Sequence, residues 1–210
     1  SFDNELIIKD APLGILTSKW DMQKGLAYCG AEYSSADSTW KSVWGAQEDI
    51  HDCYNSATIK LTTQNQRDEK GILYIDMRLY NDGLAIRYRI ECEGSTQEVE
   101  ILDEATTFKM CGDYNTFWIA GSYDDDEFAY VNTPLSGITL ENMELSSKSE
   151  RKLPYPAVNT PVTMITPKGT HIAIHEAALW EYPAMSLKYD IASNALTSDL
   201  ASVSEIKSHN

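Results

Sequence analysis

Apolar residues recur at every second position over Leu73, Ile75, Met77 and Leu79, with the charged Asp76 and Arg78 between them. Side chains of a β-strand point alternately to its two faces, so this pattern predicts a half-buried strand. Asn81-Asp82-Gly83 follows, three residue types suited to positive φ or to turns capped by their own side chains. Leu84, Ile86, Tyr88 and Ile90 then alternate with Arg87 and Arg89. Two strands joined by a tight turn form a hairpin, and Cys92 continues the apolar parity of the second as a small buried hydrophobe. Further short strands are predicted at Ala57 to Thr62, Phe117 to Ala120, Val162 to Thr166, His171 to His175 and Met185 to Tyr189, with Gly, Pro, Asn or Asp clusters between many of them. Many short strands with few helical stretches imply an all-β antiparallel sandwich or barrel.

Lysine plus arginine total 17 against 32 aspartate plus glutamate, a formal charge of -15, which repels phosphate backbones and anionic lipid. Nucleic acid and acidic membranes are therefore poor partners. No apolar run reaches the roughly 18 residues of a membrane span, and Ser1 to Asp10 lacks the features of a signal peptide. A chain that opens at serine is compatible with a signal removed upstream, so export is argued from other features. Ser146 to Arg151 is polar and precedes Pro154, Pro156 and Pro161, which predicts a long surface connection. Ser198 to Asn210 loses its alternation and reads as a strand end running into a linker. No repeat of fixed period is present.

The four cysteines, Cys29, Cys53, Cys92 and Cys111, contain no C-x-x-C pair, so zinc-ribbon and thioredoxin chemistry lack support. Two disulfides in any of three connectivities would be possible, but a chain of 210 residues does not need such staples, and free thiols are the favoured reading. His171 and His175 alternate with Ile172 and Ile174 as in a strand, where four residues span roughly 13 Å, too far for one ion to bind both. The second histidine of H-E-x-x-H is missing. Extended parity puts Glu176 on the side of Ile172 and Ile174, where an ionised carboxylate is costly unless paired or bound to a cation. The alternative ends the strand at His175 and leaves Glu176 solvated, the commoner case for such a residue.

Asp124 to Glu127 is a dense acidic run beside Trp118, Tyr123, Phe128 and Tyr130. Such oxygen-rich loops can hold calcium, but this one lacks the EF-hand order of ligands and more often would be a solvated tip. The aromatics could stack on sugar rings, though aromatics flanking strands more often belong to a core. No nucleophile elbow, P-loop or dinucleotide fingerprint is present, and among 32 acidic residues no pair can be selected for glycoside hydrolysis. Catalytic residues are accordingly assigned to none of this chain.

Five stretches carry a resemblance: WKSVWG from Trp40, IHDCYN from Ile50, MRLYNDGLAIRY from Met77, FWIAGSY from Phe117 and HEAALWEYPAM from His175. In that order they resemble the amino-terminal domain of glycoside hydrolase family 97. The resemblance implies a single large antiparallel β-sandwich over 1–210, similar to the galactose mutarotase-like supersandwich, packed in the full enzyme on a catalytic (β/α)8 barrel of the same polypeptide that is absent from this chain. It implies periplasmic or secreted α-glycosidases acting on α-linked oligosaccharides, with calcium as cofactor held mainly by glutamates of the barrel. Glu176 stands at the position of the one further calcium ligand that the amino-terminal domain supplies from its HEA motif. The pattern also departs here, since Ser56 follows Tyr54-Asn55 where the family usually has a glutamate, and the strands that commonly open the domain are missing ahead of Asn4 to Ile15. The expected function is a non-catalytic domain that shapes the sugar pocket. The alternatives are a stand-alone carbohydrate-binding module that uses Trp118 or Tyr123, and, by fold analogy alone, a mutarotase.

Overall fold

The computed structural model describes residues 1–92, 99–180 and 182–201, with the Cys92 side chain excepted. The readings of Cys92 as a buried hydrophobe and of a linker over 202–210 fall outside the described residues. The chain divides into two compact units, Leu16–Leu102 and a second built from Ser1–Ile15 with Asp103–Asn210. Among the described residues no helix is long and apolar enough to cross a membrane.

The contiguous unit carries the strongest alternation in the sequence. Its elements are β1 (Ile15–Thr17), β2 (Asp21–Met22), β3 (Ala27–Lys41), β4 (Asp49–Gln64), β5 (Lys70–Leu79) and β6 (Leu84–Cys92), followed by β7 (Ile101–Glu104). Strands β3 to β6 form an antiparallel sheet in sequence order, and β2, β1 and β7 form a small one in the order β2-β1-β7. The predicted hairpin is β5-β6, in register from Leu79↔Leu84 to Gly71↔Cys92, and its turn closes through the Tyr80 N–H donating to the Gly83 carbonyl at 2.8 Å. No residue of that turn takes positive φ. Leu73 and Ile75 are buried as their parity requires. Gly71 on the same face lies so close under Trp20 and Met22 that an added Cβ would approach both to 2.7 Å.

Strands β3 and β4 are far longer than the Ala57 to Thr62 segment predicted. β3 is exposed or half-exposed along its whole length, so it shows no apolar alternation to read. A bulge between Tyr28 and Gly30, with Gly30 at φ 142°, adds an irregularity that only glycine accepts readily. β5 pairs with β4 from Asn55 to Gln64, whereas Asp49 to Tyr54 pairs with β3 alone. The two strands thus run on as a two-stranded arm ending in the exposed Trp40, Val43 and Trp44.

The opposite face of this sheet is polar. Asp76 on β5 accepts from Arg89 Nε at 2.6 Å and Nη2 at 3.2 Å, from Arg87 Nη2 at 3.1 Å and from the Thr58 hydroxyl at 2.8 Å. The Arg89 hydrogen bond foremost, then those from Thr58 and Arg87, hold the Asp76 carboxyl well below the usual carboxylate range against the opposing effect of burial. Arg89 in turn lies 4.5 Å from the Tyr74 ring centroid.

The other unit contains β8 (Thr107–Lys109), β9 (Asn115–Trp118), β10 (Val131–Pro134), α1 (Leu140–Ser146), β11 (Ala157–Asn159), β12 (Val162–Ile165), β13 (His171–Ile174), β14 (Met185–Asp190) and β15 (Ala195–Leu200). Two antiparallel four-stranded sheets result, β10-β9-β12-β13 and β11-β14-β15-β8. Both contribute to one core, with Trp118, Val162, Met164 and Ile174 from the first and Val158, Leu187, Tyr189 and Leu196 from the second. α1 is capped by Thr139, whose hydroxyl accepts from the Asn142 N–H, and it buries Met143 and Ser146. The polar connection expected from Ser146 onward runs irregularly to β11.

Because the Asp76 carboxyl is depressed, its contribution to stability is present above the unfolded carboxylate pKa of about 4 and fades as pH falls below it. Asp76→Asn is expected to cost about 1–3 kcal/mol at neutral pH and to flatten the acid limb of stability. Urea unfolding at a series of pH values between 2 and 7 measures both.

Candidate functional site

β13 ends at Ile174, one residue earlier than predicted, and among the described residues the exposed His171 and His175 belong to no group of three metal-ligating side chains. Glu176, two residues beyond the end of the strand, is half-buried rather than fully solvated. Its Oε2 accepts from the Thr160 hydroxyl at 2.9 Å and its Oε1 from the Met185 N–H at 2.9 Å. The carboxylate is therefore fixed in orientation by two elements, while each oxygen keeps acceptor capacity for a further partner. That is the condition of a prepared hard-oxygen ligand. One carboxylate cannot supply the six to eight oxygens that calcium takes, so Glu176 fits calcium as one ligand of a larger set.

A buried amide positions this corner. Asn159, at the end of β11, accepts through its side-chain oxygen from the Ser122 N–H at 2.9 Å and from the Ser186 hydroxyl at 2.8 Å. Its amide nitrogen donates to the Asp125 carbonyl at 3.3 Å and to the Asp126 carboxylate. The next residue is Thr160. The acidic run over 124–127 is thus held by the sheet through one side chain, and among the described residues it forms no group of three ligand atoms close enough for a metal.

The aromatics beside that run divide. Trp118 is wholly buried, its indole N–H donating to the Thr133 hydroxyl at 3.0 Å, so it offers no face to a sugar. Tyr123 is 37% exposed, but its hydroxyl donates to Asp199 Oδ1 at 2.8 Å. Tyr155 donates to Asp199 Oδ2 at 2.6 Å. Burial first, and then hydrogen bonding with each other and with Asp199, pushes the Tyr123 phenol up; burial and Asp199 do the same to Tyr155.

In the contiguous unit, Asp37, His51 and Cys53 bring one ligand atom each within 4.8 Å of one another, a group able to hold a metal ion. Cys29, Cys53 and Cys111 are free, as favoured from sequence, and are exposed rather than buried. Ser56, where the family pattern has glutamate, donates to the Ser34 carbonyl at 3.3 Å.

Residues 1–207 match the Glycosyl-hydrolase 97 N-terminal family. The chain belongs to this family. Among solved structures it is similar to a Glycoside Hydrolase Family 97 enzyme from Pseudoalteromonas sp. strain K8 in complex with panose, at 24% identity and TM-score 0.78, covering 95% of this chain and 28% of that one. The enzyme of that strain in complex with acarbose matches at 23% identity and TM-score 0.76, with the same coverage. A beta-arabinopyranosidase matches at 18% identity and TM-score 0.77, covering 96% of this chain and 31% of that one. The family 97 chain described here therefore spans under a third of the length of these solved relatives.

Within the family 97 domain, strand parity would point Glu176 inward only if β13 ran on past His175, which it does not, and its partners Thr160 and Met185 join it only through tertiary pairing. The Asp37, His51 and Cys53 group was missed for a different reason. His51 and Cys53 are two apart, a spacing that puts both on one strand face, and extending β4 back to Asp49 would have exposed it.

Glu176→Ala removes both hydrogen bonds and is expected to lower stability by about 1–2 kcal/mol, whereas Glu176→Gln keeps an acceptor and most of it. Thermal unfolding of the two variants checks the order.

Proposed function

We propose that this chain is the non-catalytic amino-terminal domain of an exported, periplasmic or secreted α-glycosidase, a single β-sandwich of the galactose mutarotase-like supersandwich type over 1–210. It packs on a catalytic (β/α)8 barrel of the same polypeptide and shapes the sugar pocket, with Glu176 as one ligand of an active-site calcium ion. The observation that carries this reading is the family 97 amino-terminal match over residues 1–207 in a chain that spans 28–31% of its solved relatives. Panose in one relative supports an α-linked oligosaccharide as the substrate class. A beta-arabinopyranosidase among the structures of the same fold supports placing the choice of sugar outside this domain.

The surface supports a partner as well. Val43 is 96%, Trp44 88% and Trp180 85% exposed, large apolar groups of the kind that a covering domain removes from water. Trp44 and Trp180 lie in the stretches that carry the family resemblance.

At the site, calcium would supply Lewis-acid polarisation of the scissile oxygen or organise carboxylates around the sugar. What this chain does is hold Glu176. The Thr160 hydroxyl and the Met185 N–H fix the plane of the carboxylate, and half-burial keeps competing water from part of its surface. Chemistry on the glycosidic bond then belongs to carboxylates of the barrel.

In the complete enzyme, Glu176→Gln is expected to weaken calcium binding at least about tenfold and to lower turnover, while the unfolding of this domain stays near wild type. Calorimetric calcium titration and hydrolysis of α-linked oligosaccharides test it together. Unchanged calcium affinity and unchanged turnover would remove Glu176 from the metal site.

A further inference from the structure

The arm of β3 and β4 carries three ligand-type side chains on one face. Asp37 and Cys53 are directly opposite in register, and His51 lies two residues from Cys53, so all three project the same way. His51 Nε2 is 2.7 Å from Asp37 Oδ1. An exposed contact of this kind is weak by itself, and it leaves unexplained the free thiol of Cys53 standing within 4.8 Å of both partners.

The donor set selects the ligand. Thiolate, imidazole and carboxylate together suit zinc and neighbouring transition metals, whereas calcium and magnesium take oxygen. Tetrahedral bonds of about 2.0–2.3 Å place neighbouring donors roughly 3.3–3.8 Å apart. The three ligand atoms lie within 4.8 Å of one another, so side-chain rotation can bring them to that spacing while the strand pairing supplies the backbone geometry. All three residues are exposed, which leaves a fourth position open to water. A formal charge of -15 on the chain favours cations at its surface.

We propose that Asp37, His51 and Cys53 form a binding site for a borderline transition-metal ion of the zinc(II) class, which clips β3 to β4 along the stretch where Asp49 to Tyr54 has only β3 beside it. The site shares no residue with the Glu176 assignment and stands or falls independently of it.

Cobalt(II) is the probe. The reduced, metal-free chain is titrated with cobalt chloride, and the near-ultraviolet thiolate-to-cobalt band and the visible bands of a four-coordinate ion are followed. One equivalent is expected to saturate them. Zinc displaces the cobalt, and excess calcium leaves the bands intact. Cys53→Ser abolishes the thiolate band, His51→Ala and Asp37→Asn weaken binding at least about tenfold, and Cys29→Ser and Cys111→Ser change nothing. Zinc also slows amide exchange over 36–41 and 49–54 in wild type but not in Cys53→Ser. Because the three positions are exposed, each variant is expected to unfold like wild type in chelator, which separates lost metal from lost fold. A thiolate band that survives Cys53→Ser, or no band in the reduced wild type, overturns the proposal.

Discussion

The side chain of Asn159 is buried and uses both ends of its amide, and much of the larger unit is arranged around that fact. A buried amide left unpaired costs on the order of 1–3 kcal/mol, so the partners of Asn159 are constrained to stay where they are. One of them, Ser122, begins the acidic loop; another, Ser186, sits on β14 next to Met185. The chain then passes directly to Thr160. Through a single polar group, the loop, the sheet and the hydrogen bonds of Glu176 are set in one register, which gives the carboxylate a fixed direction without any contribution from its own strand, already ended at Ile174.

Sequence reasoning succeeded where burial is one-sided. The alternation at Leu73, Ile75 and Met77 follows from a sheet with an apolar and a polar face, and the structure shows both. It failed where neither face is buried. β3 contains Tyr28, Tyr33 and Trp40 among serines, alanines and acids, all largely in solvent, so its fifteen residues leave no periodic trace and their extension is dictated by hydrogen bonding to β4. α1 escaped for the opposite reason. Seven residues are too few to show a helical period, and the helix exists because Met143 and Ser146 are buried and Thr139 caps its start. At the candidate site β13 stops before Glu176, so parity does not reach it, and its partners Thr160 and Met185 are distant in sequence.

The two cation sites proposed among the described residues differ in chemical character. Glu176 is an oxygen donor, half-buried and hydrogen-bonded, suited to a hard ion and incomplete by itself. The Asp37, His51 and Cys53 group is exposed, mixed in donor type and complete but for water. On those proposals the two sites would not compete, because each set is a poor ligand field for the ion that suits the other.

The order of segments along the chain has a consequence for how the protein is made. Every contact within Leu16–Leu102 lies in one continuous stretch and can form once that stretch has left the ribosome. Glu5 and Ile7 have no such option. The Ile7 carbonyl waits for the Cys111 N–H, and Glu5 waits for the hydroxyls of Thr166 and Thr170, roughly 160 residues later. During synthesis, then, the stretch from Glu5 to Ile8 emerges long before its partners and finds its place only after Leu16–Leu102 can already have paired, with Ile7 and Ile8 left in water until Met110 and Cys111 arrive.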